Sequence, residues 1–147
     1  MKIFCWRPVF ERFRISSPYG ATDSKLRTEP HKGVDFACPE GTPVFACWDG
    51  VILMQKYHTD GSKAGTRLWI YNRGRKMRAG YFHMSEFRFE KPGQEVKEGD
   101  LVGWSGNTGN SSGPHLHFQI EALGDDRETF EPAFTFSPLE KPKEGPQ

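Results

Sequence analysis

Turn-forming residues interrupt this chain so often that no long element fits between them. Pro18-Tyr19-Gly20, Pro39-Glu40-Gly41, Asp49-Gly50, Asp60-Gly61, Asn72-Arg73-Gly74, Pro92-Gly93 and Glu98-Gly99-Asp100 separate short stretches rich in Val, Ile, Phe and Tyr. That pattern predicts short strands joined by hairpins, at 33–37, 43–47, 50–56, 66–71, 77–83, 101–105 and 115–122. No segment sustains a helical period with caps, and a single helical turn is expected at 85–89. The expected fold is all-β: a two-layer, mostly antiparallel sandwich or open barrel.

The chain has 147 residues, with twelve Phe and four Trp. One globular domain over residues 1–136 is expected, with an exposed loop at 57–65 and a mobile Pro-, Lys- and Glu-rich tail at 137–147. The formal net charge of +1 implies no strong attraction to nucleic acid or anionic membrane. Arg73-Gly74-Arg75-Lys76-Met77-Arg78 reads as a solvated turn. No apolar run is long enough to span a bilayer. Residues 1–10 lack a signal peptide's apolar core and cleavage site, so another export route or a trimmed chain is expected. Cys5, Cys38 and Cys47 are odd in number and read as buried small hydrophobes, a Cys38–Cys47 bridge being left open.

Five histidines are present, and strand alternation brings four of them together. In His31-Lys32-Gly33-Val34-Asp35-Phe36, Val34 and Phe36 face a core, while His31 and Asp35 share the other face with only Gly33 between them. In His115-Leu116-His117-Phe118-Gln119-Ile120 the apolar residues again alternate with His115, His117 and Gln119. Tyr81-Phe82-His83-Met84 repeats the design, with Phe82 and Met84 expected inward and Tyr81 and His83 outward. His58 lies in a polar loop without such neighbours. Imidazole and carboxylate groups from three strands suit Zn²⁺, and the set exceeds the three ligands of a catalytic site, leaving imidazole free for proton transfer.

These segments resemble the lysostaphin- and LytM-type zinc endopeptidases of bacterial cell walls. His31-Lys32-Gly33-Val34-Asp35 is similar to that family's HxGxD motif, and Gly80-Tyr81-Phe82-His83-Met84-Ser85 to the strand carrying its middle histidine. Gly106 to Phe118, ending in His115-Leu116-His117-Phe118, is similar to its closing loop and HxH strand. The likeness runs in order from about residue 14 to 122, beginning with an entry strand and turn at 13–20. Relatives often place an Arg after that turn, where Ala21, Thr22 and Asp23 stand here. The resemblance implies His31, Asp35 and His117 as zinc ligands and His115 as general base. It implies His83 as oxyanion stabiliser or proton shuttle. It further implies an open groove over the metal and a peptidoglycan peptide as substrate, cut in cross-bridges or stem peptides.

The glycine-rich loop from 103 to 113 lacks the Gly-Lys-Ser/Thr ending of a phosphate loop and is expected to bring backbone close to an extended substrate. Two rivals follow from the same residues. An inactive scaffold of this fold would normally have lost ligand positions that are all present. A lipoyl- or biotin-carrier domain would need a modified lysine at a hairpin tip, for which Lys76 is the candidate. A monomer acting at the bacterial cell wall, as a phage lysin or virion-associated enzyme, is expected.

Overall fold

The structure, a computed structural model, describes residues 2–22, 29–124 and 126–140. Its strands are β1 (Lys2–Trp6), β2 (Ile15–Ser17), β3 (Val34–Ala37), β4 (Pro43–Phe45), β5 (Gly50–Lys56), β6 (Thr66–Asn72), β7 (Met77–Phe87), β8 (Glu95–Val96), β9 (Leu101–Ser105), β10 (His115–Ala122) and β11 (Thr129–Phe136). Among the described residues there is no helix. The sheet runs β1-β11-β10-β7-β6-β5-β8, with β3 joining β10 and β2, and β9 joining β7 and β4. The fold is all-β as expected, built from one branched sheet that curls around its core. It is mixed, because β1 lies parallel to β11.

Alternation determines what the curl encloses. Val34 and Phe36 of β3, Leu116, Phe118 and Ile120 of β10, and Leu68 and Ile70 of β6 are all buried in one cluster. Each such side chain contributes roughly 1.5–3 kcal/mol by leaving water. Cys5, Cys38 and Cys47 are free thiols buried in this core.

Two expectations for β7 are corrected. The helical turn at 85–89 does not form, because Ser85–Phe87 complete β7, pairing Glu86 with Trp104 and Phe87 with Gly103 of β9. Gly103 permits that approach, since a Cβ there would lie 2.5 Å from the Glu86 carbonyl oxygen. Strict alternation also fails. Thr66 pairs with Met84 but Leu68 with Tyr81, so β7 carries one extra residue against β6. This bulge turns Phe82 and His83 to the same side. Met84 is inward as expected, but Tyr81 is the fully buried residue and Phe82 faces outward.

The basic run does more than make a turn. Arg75 donates to the Phe4 carbonyl (2.6 Å) and lies over Trp48, while Arg78 lies over Trp69 and pairs with Glu121. At the other end, Glu140 pairs with Arg12 at 2.7 Å. Residues 141–147 of the expected tail lie outside the described residues.

The buried Tyr81 hydroxyl accepts the Cys47 backbone N–H at 2.9 Å. Tyr81→Phe leaves that donor without its partner and should destabilise the protein by about 1–3 kcal/mol. Denaturant unfolding checks this, with metal affinity expected to be unchanged.

Candidate metal centre

β10 runs between β3 and β7, and His117, like the inward-facing Phe118 after it, has a direct partner on each. It faces Asp35 of β3 on one side and Phe82 of β7 on the other. Residues directly opposite in a ladder point to the same face, so imidazole, carboxylate and phenyl ring emerge side by side. His31 arrives from the loop before β3. Its carbonyl accepts from Gly20 N–H (2.8 Å) and its own N–H donates to the Ala21 carbonyl (3.0 Å). Gly33 lets this segment lie against β10. A Cβ there would meet the Phe118 carbonyl oxygen at 2.4 Å and His117 Cε1 at 2.9 Å.

Three atoms converge. His117 Nδ1 lies 2.8 Å from Asp35 Oδ1, His31 Nε2 lies 3.1 Å from His117 Nδ1, and His31 Nε2 lies 3.4 Å from Asp35 Oδ1. Ligands about 2.1 Å from a tetrahedral zinc sit about 3.4 Å from one another, so the spacing is close to that of a ligand set. Three Lewis-basic atoms this close require cations among them, whether protons on the imidazoles or a metal ion. Two imidazole nitrogens and a carboxylate oxygen suit zinc, and these residues could hold a metal. The electrostatics agree. Burial alone would raise the Asp35 carboxyl, but hydrogen bonds and charge from His117 and His31 outweigh it and hold the group far below the usual carboxylate range. His31 is oriented for this role: its Nδ1 faces the Pro18 carbonyl at 3.2 Å, with Ser17 Oγ also at 3.2 Å. A carbonyl only accepts, so His31 carries a proton on Nδ1, and Nε2 is the nitrogen left for a metal.

His115 and His83 complete the cluster. His115 Nδ1 donates to the Gly113 carbonyl (2.8 Å), and its Nε2 points inward, 4.0 Å from Asp35 Oδ1. His83 sits in the bulge with φ +61°, a strained conformation for a non-glycine residue. It is 8% exposed, and its Nδ1 donates to the Thr108 carbonyl at 2.6 Å. Burial pushes its pKa down to about 4 from 6.5, against the opposing pull of that carbonyl. Thr108 is itself fixed, accepting from Thr66 N–H (3.0 Å) and donating to the Met84 carbonyl (2.7 Å). Glycines of this loop serve its own packing, since a Cβ at Gly109 would lie 2.5 Å from both Gly65 N and the Lys63 carbonyl oxygen.

The five residues singled out from the sequence therefore share one face. His58 lies apart on the exposed loop. Sequence reasoning missed the carbonyls of Pro18, Thr108 and Gly113, and Phe82, whose ring stacks on His117 (5.0 Å, 17°). It placed Gln119 on the correct face without a role. Beside the cluster opens a groove of about 400 Å³ lined by His31, Lys63, Phe82, His83, Asn110 and Gln119.

Comparison with known proteins agrees with this geometry. The model of Peptidase family M23 matches residues 29–129. The peptidoglycan DD-endopeptidase ShyA of Vibrio cholerae is 40% identical over 120 residues, 80% of this chain and 27% of that protein. This chain thus spans about a quarter of the length of the curated relatives it matches. The catalytic domain of lysostaphin from Staphylococcus simulans superposes with a TM-score of 0.72 at 30% identity, covering 82% of this chain and 89% of that one. The catalytic domain of the prophage-encoded M23 protein EnpA from Enterococcus faecalis gives 0.71 at 30% identity, covering 86% and 94%.

His83 supplies a pH test of the site. Its folded pKa of about 4 lies below the ordinary 6.5, so between those values the unfolded chain binds a proton that the folded chain does not. This contribution to stability is full above pH 6.5 and is lost as pH falls toward 4, by up to about 3 kcal/mol. Unfolding of metal-free protein at pH 7.5 and pH 4.5 should show that loss reduced in His83→Asn.

Proposed function

The chain belongs to peptidase family M23, and from that premise we propose that it is a zinc-dependent endopeptidase hydrolysing peptide bonds in the cross-bridges or stem peptides of bacterial peptidoglycan. One observation carries this reading: His31, Asp35 and His117 converge beside a further imidazole, His115, whose Nε2 is turned toward them with its lone pair. The substrate class is supported by ShyA, a peptidoglycan endopeptidase by name. An inactive scaffold has no need of all five positions.

His31 Nε2, Asp35 Oδ1 and His117 Nδ1 would hold the zinc. When bound, the metal supplies Lewis acidity, strengthening water as an acid from a pKa of about 16 toward about 7 and polarising a peptide carbonyl. The protein's own residues do the rest. An extended peptide lies in the open groove beside His117, flanked by Phe82 and Asn110. His115 takes a proton from the attacking water at Nε2, oriented for this by its Nδ1–H bond to Gly113. His83 is neutral at working pH with its proton on Nδ1, so its Nε2 enters as an acceptor. That suits passing a proton to the leaving amine better than standing as a permanent cation for the oxyanion. The proton His83 passes on is the one His115 has taken from the water, handed across between rings whose centroids lie 4.7 Å apart.

This substrate places the site of action at the bacterial cell wall. Delivery by a phage is a further reading, favoured by the likeness to the prophage-encoded EnpA domain. Lysis of intact cells by protein added from outside tests it.

Digestion of purified peptidoglycan, with released fragments identified by mass spectrometry, tests the activity. A chelator should abolish turnover and zinc restore it. His117→Ala should lose both metal and turnover. His115→Ala should keep the metal and lose turnover by about 10²–10⁴-fold. Full activity in either variant overturns the assigned roles.

A further inference from the structure

Three of the four clustered imidazoles are anchored by a backbone carbonyl, and His117 is not. Its Nε2 lies 2.8 Å from Gln119 Oε1. The other end of that amide, Gln119 Nε2, donates to Glu121 Oε2 at 3.0 Å. Glu121 Oε1 in turn accepts from Arg78 Nε at 2.8 Å and from Arg78 Nη2. The Arg78 guanidinium lies over the Trp69 ring, 3.9 Å from its centroid. Glu121 is buried, in the row along β10 that ends at His117.

Hydrogen-bonding capacity fixes the direction of this chain. Arg78 only donates, so Glu121 is held as a carboxylate, which only accepts. The Glu121 side of Gln119 must therefore be its NH₂ group, which leaves the amide oxygen facing His117. An amide oxygen accepts, so His117 must carry a proton on Nε2, and Nδ1 is the nitrogen left for a metal. Glu121 thus selects one of the two orientations open to the Gln119 amide. We infer that Gln119 is the positioning residue of His117, with Glu121 and Arg78 setting the amide's direction so that Nδ1 is presented to the metal. This rests on the zinc-site reading above and adds a residue set to it. The buried Arg78–Glu121 pair thus has a task at the site, 43 residues apart in sequence, that bridging β7 and β10 alone would not require.

The test reads metal affinity and tautomer, independent of turnover. In zinc competition against a chromophoric chelator, Gln119→Leu should bind about 10- to 100-fold more weakly than the unaltered protein. Glu121→Gln should weaken binding in the Gln119 background but add little to Gln119→Leu, because both act through the same amide. Equal losses in both backgrounds would mean that Glu121 acts only structurally, and unchanged affinity in Gln119→Leu would overturn the inference. A measurement on the unaltered protein guards against a variant that fails to fold. ¹⁵N spectra of the zinc-bound protein should show His117 with its proton on Nε2 and the metal on Nδ1, and the opposite arrangement would sink the proposal. If the unaltered protein binds no zinc and His117→Ala matches it, the zinc-site reading itself has failed; if zinc binds but ignores Gln119, only the positioning role has.

Discussion

The pairing of Asp35 with His117 across β3 and β10 is the constraint from which the site follows. Because side chains alternate, a slip of one residue in that register would turn His117 toward the core and leave Asp35 facing a leucine or a phenylalanine. The slip is opposed by burial: it would expel Leu116, Phe118 and Ile120, all fully buried, on one strand and Val34 and Phe36 on the other. The apolar half of β3 and β10 thus holds the polar half in place. Gly33 adds a second lock, since only a residue without a Cβ fits between the His31 segment and β10.

What the sequence made legible follows the same division. The strands at 50–56, 101–105 and 115–122 match the structure to the residue, because turn residues bound them and alternation or apolar content fills them. The candidate ligands were legible because the chain has only five histidines and because His31 with Asp35, and His115 with His117, stand an even number of residues apart and so share a face. β1 and β11 were not. β11 contains Pro132, which reads as a breaker, and is tolerated because β11 has left β10 after Phe130 and keeps only β1 beside it. The exchange of Tyr81 for Phe82 was hidden for a related reason. A bulge has no residue-type signature, and Tyr81 buries its hydroxyl against a backbone N–H, so an amphipathic residue passed for an outward one.

Backbone carbonyls were the other illegible part, and they do much of the orienting. Pro18, Thr108 and Gly113 each accept from the Nδ1 of one histidine, so His31, His83 and His115 all present Nε2 inward. A carbonyl belongs to every residue and leaves no mark in the sequence. Only the fold shows which ones stand within reach of a ring.

His117 departs from that device for a reason rooted in its place. His31 precedes β3, His83 sits in a bulge, and His115 begins β10 beside a loop, so each has nearby carbonyls outside any ladder. His117 lies within β10 with β3 on one side and β7 on the other, where the neighbouring carbonyls are committed to the sheet. An acceptor for its ring has to come from a side chain on the same face. The nearest such position along the strand is two residues on, and it holds Gln119. A lone amide there could face either way, so its orientation needs a further partner, and the next position on that face holds Glu121. The polar row along β10 is thus what a histidine in the middle of a sheet requires in order to present a single nitrogen.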